Sequence, residues 1–286
     1  MVPVGGGDVD DVAALIASEI AAAAAGTEQR GHEVVFWVAA DDAADALAEV
    51  RAAAARWQAG GLAVDPARVR TAAAVPEAEW RDAWKRYFRV ARLTRQFVVV
   101  PSWDSFVAGP DDVVIDLDPG MAFGTGTHAS TRLVLEEIQA LADRGAVPAR
   151  ILDVGCGSGI LAIAAARRWP DARCVAIDSD PIAVDAAVDN AARNAVGERI
   201  AASGRGLGEL GEPFALVVAN IQAEVLRALR DELIACTAPG GTLILSGLLT
   251  PQAQPLADDF AAAGMRCLHV RASAADAEWS CVVLVR

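Results

Sequence analysis

The sequence has 286 residues, of which 54% are hydrophobic, and a formal net charge of −13. This length allows one or two domains, and no apolar run approaches the roughly 20 residues that a membrane helix needs. Five scattered cysteines without a Cys-x-x-Cys pair and three distant histidines argue against a disulfide framework and against a metal site. The first residues lack the pattern of a signal peptide, and we therefore expect a soluble cytoplasmic protein without a metal.

Residues 1–75 predict a small α+β domain. We expect, in order, a strand near 2–4, a helix over 10–25, a strand over 32–38, a helix from Asp41 or Asp42 to about Gln58, and a short strand within 62–74. No clear strand separates the first helix from Gly31. Ten acidic residues against three arginines give residues 1–60 a charge of −7. This charge suits a basic protein partner and disfavours nucleic acid, although ordinary solubility charge explains it equally well.

Residues 76–96 predict a linker helix. Trp80, Trp84 and Phe88 recur at helical spacing, and the segment carries six basic side chains. Basic residues interleaved with aromatic ones are one signature of RNA contact. An amphipathic helix with a solvated charged face explains the same pattern more simply, and we prefer it.

A glycine-rich segment follows two predicted strands at 97–103 and 113–117. It reads Asp118-Pro-Gly-Met-Ala-Phe-Gly-Thr-Gly-Thr-His-Ala-Ser-Thr131 and leads into a predicted helix from Arg132 to about Arg144. Three glycines and several hydroxyl side chains directly before a helix are typical of a mobile loop that closes on a ligand.

The most informative segment is Arg150-Ile-Leu-Asp-Val-Gly-Cys-Gly-Ser-Gly159, an apolar strand that runs into a turn with three glycines. A helix over 160–168 is expected directly afterwards. Glycine lets a backbone turn sharply and approach a ligand closely, so that strand, turn and helix together form a cradle for a nucleotide-like cofactor. A dinucleotide fingerprint would need its third glycine at position 160, which is Ile.

The spacing Asp-x-Gly-x-Gly-x-Gly resembles the first motif of methyltransferases that use S-adenosylmethionine (SAM). It assigns Asp153, Gly155, Gly157 and Gly159 to the cofactor site. The next predicted strand ends at Asp178, one βαβ half-unit past Gly159, where an acidic side chain accepts hydrogen bonds from ribose hydroxyls. A glycine turn in an unrelated α/β protein is the alternative, and the acid at this strand end argues against it.

The remaining sequence alternates helices and strands. We expect a helix over 181–194 capped by Asp180, strands over 199–203 and 214–220, a helix over 222–236, a Pro239-Gly-Gly turn, a strand over 242–246, a helix over 251–263, and strands over 266–272 and 279–285. This alternation predicts an α/β fold with a Rossmann-like, mostly parallel sheet. Because no helix joins the last two strands, they should form an antiparallel pair at the sheet edge.

Five segments of the sequence resemble the PrmA family of methyltransferases. They are Asp118-Pro-Gly-x-Ala-Phe-Gly-Thr-Gly-Thr-His128, Gly155-Cys-Gly-Ser-Gly-Ile-Leu-Ala-Ile-Ala164, Asp178-x-Asp-Pro181, Val218-Ala-Asn-Ile221 and Leu245-Ser-Gly-Leu248. The resemblance covers residues 77–286 in order and with compatible spacing, whereas residues 1–75 match only in outline. Ala129 and Ser130 stand where the family usually has Pro and Thr.

The resemblance implies a SAM-dependent enzyme that methylates lysine or N-terminal amines of L-eleven, the stalk-base protein of the large ribosomal subunit. It implies an N-terminal domain over 1–75 that captures this basic protein, the linker helix over 76–96, and a catalytic domain over 97–286. It also implies that Phe123 and Thr131 belong to a loop covering the cofactor. We expect a monomer that binds neither membrane nor nucleic acid directly.

Asn220 is the expected catalytic residue and a further contact to the cofactor. It ends a strand over the switch point of the sheet, where an oxygen of its side chain or backbone would orient the substrate amine. A cap for the following helix is the alternative. No strong general base stands out, and none is required, because burial and a nearby sulfonium cation both lower the pKa of an amine.

Two other functions compete with this interpretation. A methyltransferase acting on RNA or DNA bases usually carries an aromatic residue after Asn-Pro-Pro, whereas this sequence reads Asn220-Ile-Gln-Ala. A ribosome-associated module that binds SAM without catalysis is the second, and the intact glycines, Asp178 and Asn220 argue against it. Another protein substrate also remains open.

Overall fold

The computed structural model describes residues 2–3, 12, 16, 20, 28–30, 33–36, 38, 42–71, 89–118 and 128–286. The chain divides into two compact units, Met1–Lys85 and Arg86–Arg286. Within the described ranges, every helix is too short or too polar to cross a membrane.

The first unit contains an antiparallel three-stranded sheet and a long helix. Its strands are β1 (Val2–Pro3), β2 (Glu28–Arg30) and β3 (Glu33–Val35), in the order β1-β3-β2, and its helix α1 spans Ala43–Ala59. A 3₁₀ turn, Pro66–Arg68, follows. Buried side chains from these elements form one core, which includes Val34, Val50 and Trp57.

The predictions for the first unit are confirmed in part. Val12, Ile16 and Ile20 are buried, and the amide of Ile20 donates to the carbonyl of Ile16, as expected of a helix in this stretch. Strand β2 was not predicted, because its residues Glu-Gln-Arg show no apolar alternation. Of the strand expected within 62–74, the described residues 62–71 show an isolated bridge at Val64 and otherwise no strand, and residues 72–74 lie outside the described part of the chain.

The second unit begins with a small mixed sheet. Its strands are β4 (Ala91–Arg92), β5 (Phe97–Val100) and β6 (Val113–Asp116); β4 pairs with β5 antiparallel and β5 pairs with β6 parallel. The linker helix expected over 76–96 therefore extends too far, because residues 91–92 are held in a strand by pairing with β5. Residues 89–90 and 93–96 are not helical either, and residues 76–88 of that prediction lie outside the described residues.

A seven-stranded sheet forms the centre of the second unit. Its strands are β7 (Arg150–Val154), β8 (Arg173–Ile177), β9 (Ile200–Ser203), β10 (Phe214–Asn220), β11 (Thr237–Leu249), β12 (Arg266–Ala272) and β13 (Trp279–Val285). Their order is β12-β13-β11-β10-β7-β8-β9, and only β13 runs antiparallel to both of its neighbours. The predicted α/β fold, mostly parallel with an antiparallel last strand, is confirmed.

Helices in the described part of this unit connect or cover these strands. They are α2 (Ala129–Asp143), α3 (Ile160–Arg168), α4 (Pro181–Arg193), α5 (Ala223–Ala228), α6 (Arg230–Cys236) and α7 (Thr250–Ala262); two 3₁₀ turns, Gly197–Arg199 and Leu207–Glu209, are shorter still. The helix expected over 222–236 is split at Leu229, whose ψ of 6° departs from helical geometry.

Strand β11 is much longer than the segment 242–246 predicted for it. Its pairing with β10 jumps from Thr237 opposite Phe214 to Thr242 opposite Leu216, so that the expected Pro239-Gly-Gly turn occurs as a bulge inside the strand. A second irregularity, between Leu245 and Leu248, interrupts the pairing with β13. Bulges of this kind bend a strand and redirect its side chains.

Candidate active site

The carboxyl ends of the parallel strands β7, β8 and β10 lie together at one edge of the large sheet. In the sheet, β7 has β8 as its neighbour on one side and β10 as its neighbour on the other, and the chain passes from β7 to β8 first. In an open α/β sheet such a reversal of strand order opens a crevice where ligands bind. Gly155 follows β7, Asp178 follows β8, and Asn220 ends β10, so the structure brings the predicted residues of three strands to this crevice.

The glycine turn is fixed to the end of β8 by backbone hydrogen bonds. The amides of Gly155 and Cys156 both donate to the carbonyl oxygen of Ile177, at 2.8 and 3.0 Å. Gly155, Gly157 and Gly159 have φ values of 69°, 52° and 80°, a region in which a side chain is strained. The turn therefore needs glycine for its own geometry and presents its backbone at the crevice.

Asp178 links the same turn to the start of α4. Its Oδ2 accepts from the amide of Gly157 at 2.9 Å, and its Oδ1 accepts from the amide of Asp180 at 3.0 Å. The side chain is half-buried, and each carboxylate oxygen retains a second lone pair. Asp178 is thus held rigidly by the protein and can still accept hydrogen bonds from hydroxyl groups of a ligand.

Asp153 lies beneath the turn and is fully buried. Its Oδ2 accepts from the amide of Ala162, one of the free amides in the first turn of α3, at 3.0 Å. Its Oδ1 accepts no hydrogen bond from the described residues. Burial raises the pKa of this carboxyl from 3.8 to about 7; the Ala162 amide lowers the pKa and the charge of Asp178 raises it.

Asn220 is oriented by a hydroxyl group from helix α2. Its Nδ2 donates to Oγ1 of Thr131 at 3.2 Å, and Thr131 itself is buried. No described residue donates a hydrogen bond to Oδ1 of Asn220. Helix α5 begins after Gln222, and Asn220 does not cap it. The alternative role as a helix cap is therefore wrong, and the side-chain carbonyl is left to accept a hydrogen bond from a ligand.

Comparison with known proteins identifies the family. The family model described as "Ribosomal protein L11 methyltransferase (PrmA)" matches residues 7–286. The chain belongs to the PrmA family. The predicted resemblance is thereby confirmed.

Individual PrmA relatives agree with the family model. Proteins named "Ribosomal protein L11 methyltransferase" from Syntrophotalea carbinolica and Geobacter sp. (strain M21) are 43% and 42% identical, over 73% and 71% of this chain. The chain spans 66% of the length of both. A crystal structure of ribosomal protein L11 methylase from Lactobacillus delbrueckii subsp. bulgaricus superposes with a TM-score of 0.62 at 31% identity, covering 69% of this chain and 98% of that one.

The three glycines of the PrmA motif are required for different reasons. A Cβ on Gly155 would lie 2.3 Å from Cγ2 of Ile221, beyond the end of β10. A Cβ on Gly159 would lie 3.1 Å from Cα and Cβ of Ala187 on α4. Two glycines thus allow close packing within the protein, and Gly157 offers its amide to Asp178. Of the predicted site residues, Phe123 lies outside the described part of the chain.

Several residues that shape the site were not predicted from the sequence. The side chain of Asn190, buried on α4, accepts from the amide of Asp118 and donates to the carbonyl of Ser158 in the glycine turn. His128 caps α2 by accepting from the amide of Ser130, and its ring packs edge-on against the ring of Trp279, with 4.4 Å between the ring centroids. Asn190 and Trp279 meet partners that are distant in the chain, and sequence spacing carries no signal for such pairs.

We expect Asp178→Ala to weaken SAM binding. A hydrogen bond to a charged group is worth about 1.5–3 kcal/mol, so the dissociation constant measured by calorimetry should rise about tenfold or more. Asp180→Ala is the matched control, because among the described residues the side chain of this neighbouring acid caps α4 by accepting from the amide of Ile182. It should cost about 1 kcal/mol of stability and leave affinity unchanged. Equal affinities for wild type and Asp178→Ala would refute the assignment.

We expect Asp153→Asn to become relatively more stable than wild type as pH rises. The folded carboxyl has a pKa of about 7 against 3.8 unfolded, so wild type loses stability as pH rises through this window. Between about pH 5.5 and 8 the difference in unfolding free energy should change by about 1–2 kcal/mol, since one pKa unit corresponds to about 1.4 kcal/mol. Urea unfolding at both pH values measures it, and a constant difference would contradict the buried-acid interpretation.

Proposed function

We propose that this protein is a SAM-dependent methyltransferase that methylates amines, lysine side chains or the N-terminal amine, of ribosomal protein L11. The observation that carries the proposal is the side-chain amide of Asn220, which lies beside the glycine turn and is fixed by its hydrogen bond to Thr131. No described residue donates a hydrogen bond to the carbonyl oxygen of this amide. Membership of the PrmA family and the names of its relatives support the reaction and the ribosomal substrate. We further infer a cytoplasmic monomer that contacts neither membrane nor nucleic acid.

The described residues fit a nucleotide-like cofactor. The glycine turn presents backbone in a conformation that a side chain would strain, and Asp178 offers carboxylate lone pairs beside it. These residues would hold SAM, with Phe123 and Thr131 near it as the family resemblance implies. When bound, SAM supplies a methyl group on a sulfonium centre, which is the electrophile of the reaction.

The substrate amine must lose its proton before it can react. An unperturbed lysine has a pKa of about 10.4, so at neutral pH nearly all of it is ammonium. A carboxylate at position 220 would favour the ammonium form through its charge, whereas the neutral amide of Asn220 accepts an N–H hydrogen bond without that effect. We infer that Asn220 orients the amine lone pair, and that desolvation of the amine lowers its pKa.

Thr131 positions the amide on which this proposal depends. If its hydroxyl group is replaced by a methyl group, the donor Nδ2 of Asn220 loses its partner and the amide can rotate. The contact therefore predicts a loss in turnover, while the glycine turn and Asp178 remain able to bind the cofactor.

We expect Thr131→Val to lower kcat for L11 methylation about tenfold, because it removes one positioning hydrogen bond. Thr131→Ser keeps the hydroxyl group, and its kcat should stay near that of wild type. Asn220→Ala should be at least as impaired as Thr131→Val. Adding Thr131→Val to Asn220→Ala should cost nothing more, since both act through the same contact. Steady-state rates with labelled SAM measure this, and additive losses in the double variant would count against the coupling.

We expect deletion of residues 1–75 to preserve SAM binding and abolish methylation of folded L11. The first unit has its own core, and residues 1–60 carry a charge of −7, which suits capture of a basic protein. Raising salt should weaken association of the full-length protein with L11, since exposed charges are screened over about 10 Å at 0.1 M. Calorimetry and methylation assays test this. Full activity of the truncated protein on folded L11 would refute the division of roles.

A further inference from the structure

The chain leaving β10 passes between two glycines. In the sheet β10 lies between β11 and β7, and Asn220 pairs with Ser246 of β11. The next residue, Ile221, therefore passes between Gly247 of β11 and Gly155 after β7. A Cβ on Gly247 would lie 2.6 Å from the carbonyl oxygen of Ile221 and 3.0 Å from its N and C atoms. The backbone beyond Asn220 can occupy this place only because Gly247 has no side chain.

Ser246 and Gly247 form a bulge in β11. Leu245 pairs with Val282 of β13 and Leu248 pairs with Ser280, so β11 has one residue more than β13 between these pairs. Gly247 has a φ of 79°. Bulges occur preferentially next to active sites, where they redirect a side chain. We call this pair of residues the Ser246–Gly247 bulge.

The bulge also contacts helix α2. Ser246 is fully buried, and its Oγ donates to the carbonyl oxygen of Ser130 at 3.0 Å. Ser130 directly precedes Thr131, whose hydroxyl accepts from Nδ2 of Asn220. The bulge therefore contacts the surroundings of Asn220 in two ways. Gly247 contacts the backbone of Ile221, which follows Asn220. Ser246 holds the first turn of helix α2, which contacts the side chain of Asn220.

We propose that the Ser246–Gly247 bulge positions Asn220 for methyl transfer. Ser246 and Gly247 are positioning residues, because they act through Ile221, Thr131 and Asn220. The inference rests on the proposed function only in one part, the role of Asn220 in orienting the substrate amine. The geometric part, that the bulge sets the place of the Asn220 amide, stands apart from it.

Gly247→Ala is the first test, with Gly240→Ala as its matched control. Gly240 lies in the same strand with a similar φ of 73°, but a Cβ there meets nothing within 4 Å. Both variants place alanine at a similar positive φ, and only Gly247→Ala displaces Ile221. Because a misplacement of about 1 Å can cost about 100-fold, kcat for L11 methylation should fall roughly 10- to 100-fold in Gly247→Ala relative to Gly240→Ala. The SAM dissociation constant should change much less than kcat, because Asp178 is left in place.

A second readout does not depend on activity. The side-chain amide signal of Asn220 in a ¹⁵N spectrum is identified by its absence from Asn220→Asp. It should move in Gly247→Ala and stay in place in Gly240→Ala. If it moves while wild type fails to methylate L11, the positioning stands and the proposed function fails. If kcat and the signal are the same in both glycine variants, the positioning is refuted.

Ser246→Ala keeps the test valid if Gly247→Ala does not fold. It removes one hydroxyl group without adding volume, and Ser280→Ala is its control, because Ser280 is also buried in the neighbouring strand and contacts Thr250 instead. Ser246→Ala should shift the Asn220 amide signal and lower kcat severalfold relative to Ser280→Ala. Equal spectra and equal kcat values for the two serine variants would overturn the proposal.

Discussion

The site depends on the close approach of three strand ends around Gly155. Its amide donates to the last residue of β8, and a Cβ at this position would lie 2.3 Å from Cγ2 of Ile221, the residue that follows β10. With its φ of 69°, this residue joins the end of β7 to the ends of β8 and β10 in a conformation that suits glycine. Hydrogen bonds then fix the arrangement, because Asp178 holds the turn from one side and Thr131 holds Asn220 from the other.

The two acids of the site differ in burial, and this difference separates their roles. Asp153 is inside the protein, where desolvation raises its pKa to about 7 and its one hydrogen bond goes to the first turn of α3. Asp178 is half-buried and accepts two backbone hydrogen bonds at the surface of the crevice. The first acid therefore fixes the join between strand and helix, and the second is exposed at the crevice, where it can meet a ligand.

The sequence was sufficient where local chemistry decides the structure. The glycine turn, the acid after β8 and the alternation of strands and helices follow from residue type and spacing, and the structure has all three. The sequence was insufficient where contacts between residues distant in the chain decide the structure. The contact of Ser246 with Ser130, for example, spans 116 positions. The polar strand β2 was missed for a local reason, because its residues show no apolar alternation although it pairs with the adjacent strand β3. The Asn220–Thr131 hydrogen bond is intermediate, because each residue was singled out but their contact was not.

A neutral amide at the end of β10 has a consequence for how proton loss and binding are linked. No charged side chain of the described residues hydrogen-bonds to Asn220, so under the proposed function the acceptor for the substrate amine favours the ammonium form less than a carboxylate would. Under the same proposal, desolvation of the amine and the nearby sulfonium charge both lower the pKa of the amine and so promote loss of its proton. Under this proposal the protein needs rigid placement of one hydrogen-bond acceptor more than it needs a base, and the hydrogen bond from Asn220 to Thr131 on helix α2 supplies such placement.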